Sequence, residues 1–434
     1  MSIFPRLAVL LNLCCVTAVL AAVVLHETAA LGARPSTALR VALLQEDLPA
    51  VRQAVAAERQ RLGDKAGEPE VPEQYREVPA SAELLTSAEA QQGFVPHFGT
   101  LEKLRWWKVP VDPTALTAPL REPATVIRGS VAAVRAGLDG AERSLQVAED
   151  AAQFLLWAQE QAGSGGFPFP AAIGTSKDRA MQVASRFLQR ASSEGRLAEV
   201  VRSGWAVNDL GDGGLQFDNG ECGVAMFELF ELTGAEHYRE SGCRAADWAA
   251  SQPLCINWNY NSFSVWLLSK AFATTGELRY LEAAVQKARL GVIPGQLTEG
   301  PHAGRWVDPH NARAVYHFIM MRGLTQLAAV MPADHPHRAE VVGALQLGLR
   351  VRNSEILRAG VMNMDHLVEA LLLARQVFAG DANFLRETQT VEAWQAVGRL
   401  IAAEYRGGRK PLGPCGWGQF CASVVRPISG AAAP

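Results

Sequence analysis

Residues 229–252 read LFELTGAEHYRESGCRAADWAASQ: an apolar run, a Thr-Gly break, then an Ala-rich run with Tyr238 near its start. Apolar positions recur at helical spacing and the Gly marks a turn, so the stretch describes two helices joined back to back. The pattern returns. AFATTGELRYLEAAVQKARLGV (271–292) places Thr275-Gly276 and Tyr280 each 42 positions after Thr233-Gly234 and Tyr238. VFAGDANFLRETQTVEAW (377–394) carries Gly380 and Phe384 at the same offset. Self-similarity at such a period marks stacked two-helix units, none of which buries its apolar face alone.

The connections between units recur as well. GGFPFP (165–170), GLQFDNGE (214–221), INWNYN (256–261), GRWVDPHN (304–311), VMNMDH (361–366) and PCGWGQ (414–419) each pair Gly or Asn with an aromatic residue or Met. Six such loops imply about six hairpins. Open arrays favour uniform repeats with polar ends. Here the repeats diverge, and the decorated loops all precede the more apolar helix of a pair. A closed ring puts those helices inside and brings the loops to one rim, where a single cleft is expected. The expected fold class is all-α, an (α/α)6 toroid over residues 129–434. An N-terminal helical segment (34–62) and a Pro-rich linker or packing arm (63–128) precede it. In that arm, LRWWKVP (104–110) is the one aromatic knot, read as docking onto the body.

Arg6 followed by LAVLLNLCCVTAVLAAVVL (7–25) and a small-residue exit reads as an export signal within residues 1–33, or as an uncut membrane anchor. Export to the periplasm or exterior is therefore expected. Five cysteines lie downstream, an odd number that leaves room for one bridge. No CxxC and no zinc-like Cys/His spacing occurs, so no metal and no cofactor is expected. The net charge of −3 and the lack of basic runs argue against nucleic acid. No GxSxG elbow, P-loop or HExxH is present, which disfavours serine hydrolases, nucleotide-dependent enzymes and zinc proteases.

WAQEQAGSGGFPFP (157–170), FDNGECGVAMFELFELTGAEHYRESGCRAADWAASQ (217–252) and NSFSVWLLSKAFATTGELRYLEAAVQKA (261–288) together resemble the six-hairpin (α/α)-toroid superfamily of carbohydrate-active proteins. The GG-aromatic-Pro joint is similar to that of toroidal pectate lyases. The TG hairpins resemble the helical domain of glucuronyl C5-epimerases and the unsaturated-glucuronyl hydrolases. The likeness spans about residues 130–425 and implies the architecture and a carbohydrate partner. It transfers no catalytic residue.

The loops supply the candidates. Asp218 and Glu221 read either as an acid/base pair at a sugar bond or as a capping box at a helix start. Asp308, before Pro309, suits an N-cap, whereas His310 is a candidate base, and Asn311 and Arg313 are candidate partners of a uronate. Asn257, Trp258, Asn259 and Tyr260 offer amides, flat faces and a phenol able to carry a proton. Asn261 either joins that set or caps the following helix, and Trp258 is alternatively core. Phe167, Phe169, Trp306 and Trp417 are candidate stacking platforms, and Asp365 and His366 are further site candidates. Asp209 and Asp212 sit in a Gly-rich loop without EF-hand spacing, read as solvated rather than calcium-binding. The sequence thus supports an exported protein acting on a polysaccharide, possible classes being lyase, epimerase and hydrolase, with a uronic-acid-containing substrate among the options. The alternative is a non-catalytic envelope scaffold or glycan-binding toroid.

Overall fold

The computed structural model describes residues 37–94, 121–167, 169–170, 205–206, 214–362, 365–409 and 412–427. Residues 7–25, the Trp106-Trp107 knot, and Asp209 and Asp212 lie outside the described residues. Among those described, no helix is long and apolar enough to cross a membrane.

Helices α1 (Thr37–Leu44) and α2 (Leu48–Leu62) open the described chain, and Asp47 caps α2 by accepting from the Ala50 amide. The ring follows as α3 (Arg121–Ala136), α4 (Ala141–Ala162), α5 (Gly214–Thr233), α6 (Glu236–Ser251), α7 (Trp258–Thr275) and α8 (Leu278–Gly291). It continues as α9 (Ala314–Val330), α10 (Arg338–Ala359), α11 (Asp365–Val377), α12 (Ala382–Glu387), α13 (Thr390–Arg406) and α14 (Pro414–Val425). A two-residue antiparallel pair, β1 (Phe169–Pro170) with β2 (Trp205–Ala206), sits between α4 and α5.

The two helices of a hairpin differ in kind. On α6 the buried positions Tyr238, Ser241, Gly242, Ala245, Ala246 and Ala249 form one stripe, the signature of a helix with one wet face. On α7 and α9 every position from 261 to 269 and from 317 to 325 is buried, so these stretches are covered on all faces. Helices of the second kind must be enclosed. Accordingly α3, α5, α7, α9, α11 and α14 each pack on the next, and α14 packs back on α3, so the inner helices close into a ring. The one-sided helices stand outside it. Gly234 (φ 72) and Gly276 (φ 75) make the left-handed turns between inner and outer partners. The third repeat departs from the pattern: its outer helix is broken at Gln389 (φ 53), between α12 and α13.

Closure depends on small residues. A Cβ on Gly129 or Gly418 would stand within 3.0 Å of the backbone of Pro414 or Gly129, so α3 and α14 meet backbone to backbone. Gly220 and Gly223 admit Phe263 and Leu267 of α7, and Gly323 admits the Ser262 carbonyl. Where a sixth outer helix would stand, residues 84–94 pack on α13 and α14. Trp417 donates its indole N–H to the Gly93 carbonyl (3.1 Å), and Leu84 fills the space beside Gly398.

The Pro-rich arm is stitched down between residues 67 and 76. Gly67 and Glu70 donate backbone amides to Val307 and Pro309, and Arg76 exchanges two backbone bonds with Val361. Glu73 accepts from the Ala314 amide, the first residue of α9, and from Arg352 (2.8 Å). A helix start otherwise lacking a side-chain cap is thus capped by an acid from 241 positions upstream. Among the described residues the five downstream cysteines form no disulfide, so the bridge allowed by the sequence is not made.

Gly129→Ala and Gly418→Ala are each expected to cost about 1–3 kcal/mol, since the methyl meets backbone that cannot rotate away. Gly343→Ala, on the exposed side of α10 with nothing within 4 Å, is expected to gain about 0.5–1 kcal/mol. Urea unfolding of the three variants checks both signs.

Candidate functional site

The ring axis is polar. Arg128 comes from α3 and Arg322 from α9, which face each other across the six-membered ring. Glu221 comes from α5 and Glu369 from α11, which also face each other. The four side chains therefore alternate in charge around the axis, each 1–3% exposed. Arg322 binds Glu221 (2.8 Å) and Glu369, and Arg128 binds Glu369 (2.9 Å) and Glu221 (3.2 Å). Arg128 also reaches Glu228 at 3.4 Å. Trp266 of α7 lies against both cations, 3.6 Å from Arg322 and 4.5 Å from Arg128 to its ring centre. Burial alone would raise the Glu369 carboxyl, but Arg128 and Arg322 outweigh it and hold the group well below the usual carboxylate range.

Towards the N-terminal ends of the inner helices the balance reverses. Burial, helped by the charge of Glu369, pushes Asp365 up to about 6, against a bond of 2.9 Å from the Gly413 amide. That carboxylate fits only because residues 413 and 416 lack a Cβ. Burial, reinforced by Arg322, pushes His366 down to about 4, so its imidazole is neutral at pH 7 and lies 3.4 Å from Arg322. Asp218 is fully buried 3.8 Å from Arg121, and burial raises its carboxyl. Helix α5 already begins at Gly214, so Asp218 and Glu221 lie within its first two turns and form no capping box.

Towards the C-terminal ends the axis opens into a cavity of about 390 Å³. Arg128, Arg322 and Glu369 form its floor, with Glu228 beside them. Val131, Trp266, Leu372 and Leu373 give apolar wall, while Gln326, Gln376, Gln419 and Ser423 give polar wall. Arg135 and Arg426 stand at the mouth, Arg135 paired with Glu231. The sequence placed the cleft at the decorated loops. The described cavity lies at the other end of the ring, beside the short hairpin turns.

The decorated loops spend many of their polar groups on one another. Asn311 accepts from the Asn259 amide and side chain, and Asp308 accepts from the Asn311 amide (2.9 Å) and side chain (3.0 Å). Asp308 thus closes a turn ahead of the helix instead of capping α9, and burial raises its carboxyl. Asn261 lies inside α7 and ties Cys255 to the Gly291 carbonyl, while Asn257 takes the N-cap position. Trp258, Trp306, Trp417 and Phe167 are at most 2% exposed and offer no face to a ligand in this structure. Tyr260 is half-buried. Of Phe169, only its place in β1 is described. His310 and Arg313 both face Glu70 of the arm, at 3.3 and 3.2 Å, and His310 stacks on Tyr316.

Of the sequence candidates, only Glu221 belongs to the axial set, with His366 touching it and Asp365 close by. Arg128, Arg322, Glu369, Trp266 and the glutamines were missed. Their signal was a charge inside an apolar helical run: VIRGSV (126–131), MMRGLT (320–325) and HLVEALLL (366–373).

No protein-family profile and no curated protein sequence matches the chain. Among solved structures it is similar to a polysaccharide lyase, at 13% identity and TM-score 0.48, over 79% of this chain and 97% of that one. It is similar to a family 88 glycosyl hydrolase from Bacteroides vulgatus, at 12% and 0.47, over 79% and 99%. A third is a cellobiose 2-epimerase from Spirochaeta thermophila, at 13% and 0.48, over 91% and 99%.

Two opposite pH signatures are expected. Glu369 is depressed, so its contribution to stability is full above its unfolded value of about 4.3 and is lost as pH falls below it. Glu369→Gln is expected to cost about 3–5 kcal/mol at pH 7, because it leaves two guanidinium groups short of a partner. Asp365 is raised to about 6, so its contribution is greatest below about pH 4 and declines as pH rises through the folded value. Asp365→Asn is therefore expected to gain on the parent protein between pH 4 and 7. Urea titrations of parent and variant at both pH values measure the difference.

Proposed function

We propose that this chain is an exported carbohydrate-active toroid that takes a sugar into its axial cavity. The carrying observation is the cavity itself, in which apolar wall from Trp266, Leu372 and Leu373 faces convergent amides from Gln326, Gln376 and Gln419 over an ionic floor. Sugars present apolar C–H faces and many hydroxyls, and such a wall serves both. Buried ion pairs add little stability over apolar packing of the same volume. A polar axis in a ring otherwise built of Leu, Val, Phe and Ala is thus consistent with a binding role.

The reading draws on the resemblance of the repeats to carbohydrate-active toroids, and on the apolar run of residues 7–25 for export or anchoring. A uronic-acid-containing polymer fits it, since acidic groups along such a chain would meet Arg135 and Arg426 at the mouth. Glu221 and Glu369 are held by two guanidinium groups each, and Glu369, kept well below the usual carboxylate range, is a poor proton donor. Asp365 keeps its proton in mild acid but lies beyond the knot from the cavity, so it cannot donate to a sugar held there. The tied carboxylates favour the second reading, a glycan-binding toroid without catalysis, over a two-carboxylate hydrolase.

Calorimetry with neutral and uronic-acid oligosaccharides is expected to show binding by the parent protein, weakened about tenfold by Gln326→Ala, which removes one of the wall's three side-chain amides. Incubation with the corresponding polymers separates the classes. New absorbance near 230 nm marks a lyase, new reducing ends without it a hydrolase, and solvent deuterium in unbroken polymer an epimerase. Binding without any of these marks the non-catalytic protein. No binding across the panel overturns the carbohydrate reading.

A further inference from the structure

We propose that the axial cavity receives the end of a glycan chain, not its middle, and that the end residue it receives is uncharged. This rests on the carbohydrate reading above and adds the mode and charge of recognition.

The first part follows from shape. The floor is closed: Arg128, Arg322, Glu221 and Glu369 fill the axis side to side and are 1–3% exposed. The walls are the C-terminal halves of inner helices, each packed on the next around the ring. A polymer threaded through the ring would have to break the four-residue knot, and Trp266, 3% exposed, lies too deep for one crossing the mouth. Only a terminus gains the whole wall.

The second part follows from charge. Two guanidinium groups at the floor face three carboxylates, Glu221, Glu369 and Glu228, and each guanidinium already binds two or more of them. The floor thus has no spare cation for an incoming carboxylate. Burying an unpaired anion against it is costly, whereas hydroxyl groups can donate to the carboxylates and to the glutamine carbonyl oxygens. The spare positive charge sits outside, at Arg426, which has no ion pair among the described residues.

The test uses the full chain with malto-, cello-, xylo- and manno-oligosaccharides from disaccharide to hexasaccharide, the same sugars with an acidic end residue, and cyclodextrins. The expected result is affinity that levels off after the first few residues, no binding of the cyclic sugars, and acid-ended ligands weaker by about tenfold or more. Glu228→Gln, which removes one of the carboxylates paired with Arg128, is expected to narrow that gap several-fold. If it does not fold, Gln326→Ala serves instead and must weaken neutral-ended ligands. Affinity that climbs with every added residue, cyclic ligands that bind as well as linear ones, or acid-ended ligands that bind as tightly as neutral ones each overturn this inference and leave the carbohydrate reading standing. Failure of every saccharide overturns both.

Discussion

Two arginines and two glutamates alternate around an axis that six helices leave barely open, and the rest of the ring is arranged to permit it. Each of these ions loses several kcal/mol of hydration, which only mutual pairing offsets. Pairing requires four helices to present a charge at one level, and the helices must stand close enough for a glutamate to reach two arginines. Glycine supplies the closeness. Arg128 is followed by Gly129 and Arg322 by Gly323, so each cation sits beside the point where its own helix touches a neighbour. The knot and the narrowness of the ring are one constraint seen from two sides.

The knot also divides the molecule into unlike faces. On the decorated side lie the raised acid Asp365, the neutral His366 and loops whose asparagines are spent on each other, with the proline-rich arm laid over hairpins four and five. On the turn side the axis is open. The arm uses the positive end of α9 and the buried guanidinium of Arg352 as anchor points for Glu73. Burial would raise that glutamate, and Arg352 and the Tyr75 hydroxyl lower it instead. The arm's seating therefore belongs to neutral solution and weakens in acid.

Architecture was readable from the sequence because it rests on periodicity. The 42-residue echo of Thr-Gly and Tyr, and helices apolar on every face, leave few ways to bury so much surface, and a closed ring is one. The site was less readable. Asp218, Asp308, His310 and Arg313 stand out as polar residues in loops, yet local hydrogen bonds and the arm engage three of them, and Asp218 is sealed beside Arg121. The axial residues give the opposite signal, single charges in apolar helices. Such charges are conspicuous only once the helices are known to meet at an axis, and their meeting depends on glycines whose role is invisible without a partner backbone. Phe167 and the tryptophans show the reverse case, aromatic loops that serve packing.

The contact between Gly129 and Gly418 joins the first inner helix to the last. An open stack of repeats can gain stability hairpin by hairpin as it is made. This chain cannot, because the flank of α3 stays uncovered until residues 414–425 arrive, and α9 starts on a cap supplied by Glu73, far upstream. During synthesis nearly the whole polypeptide must emerge before the structure can lock, leaving a long interval in which its greasy flanks need chaperone cover.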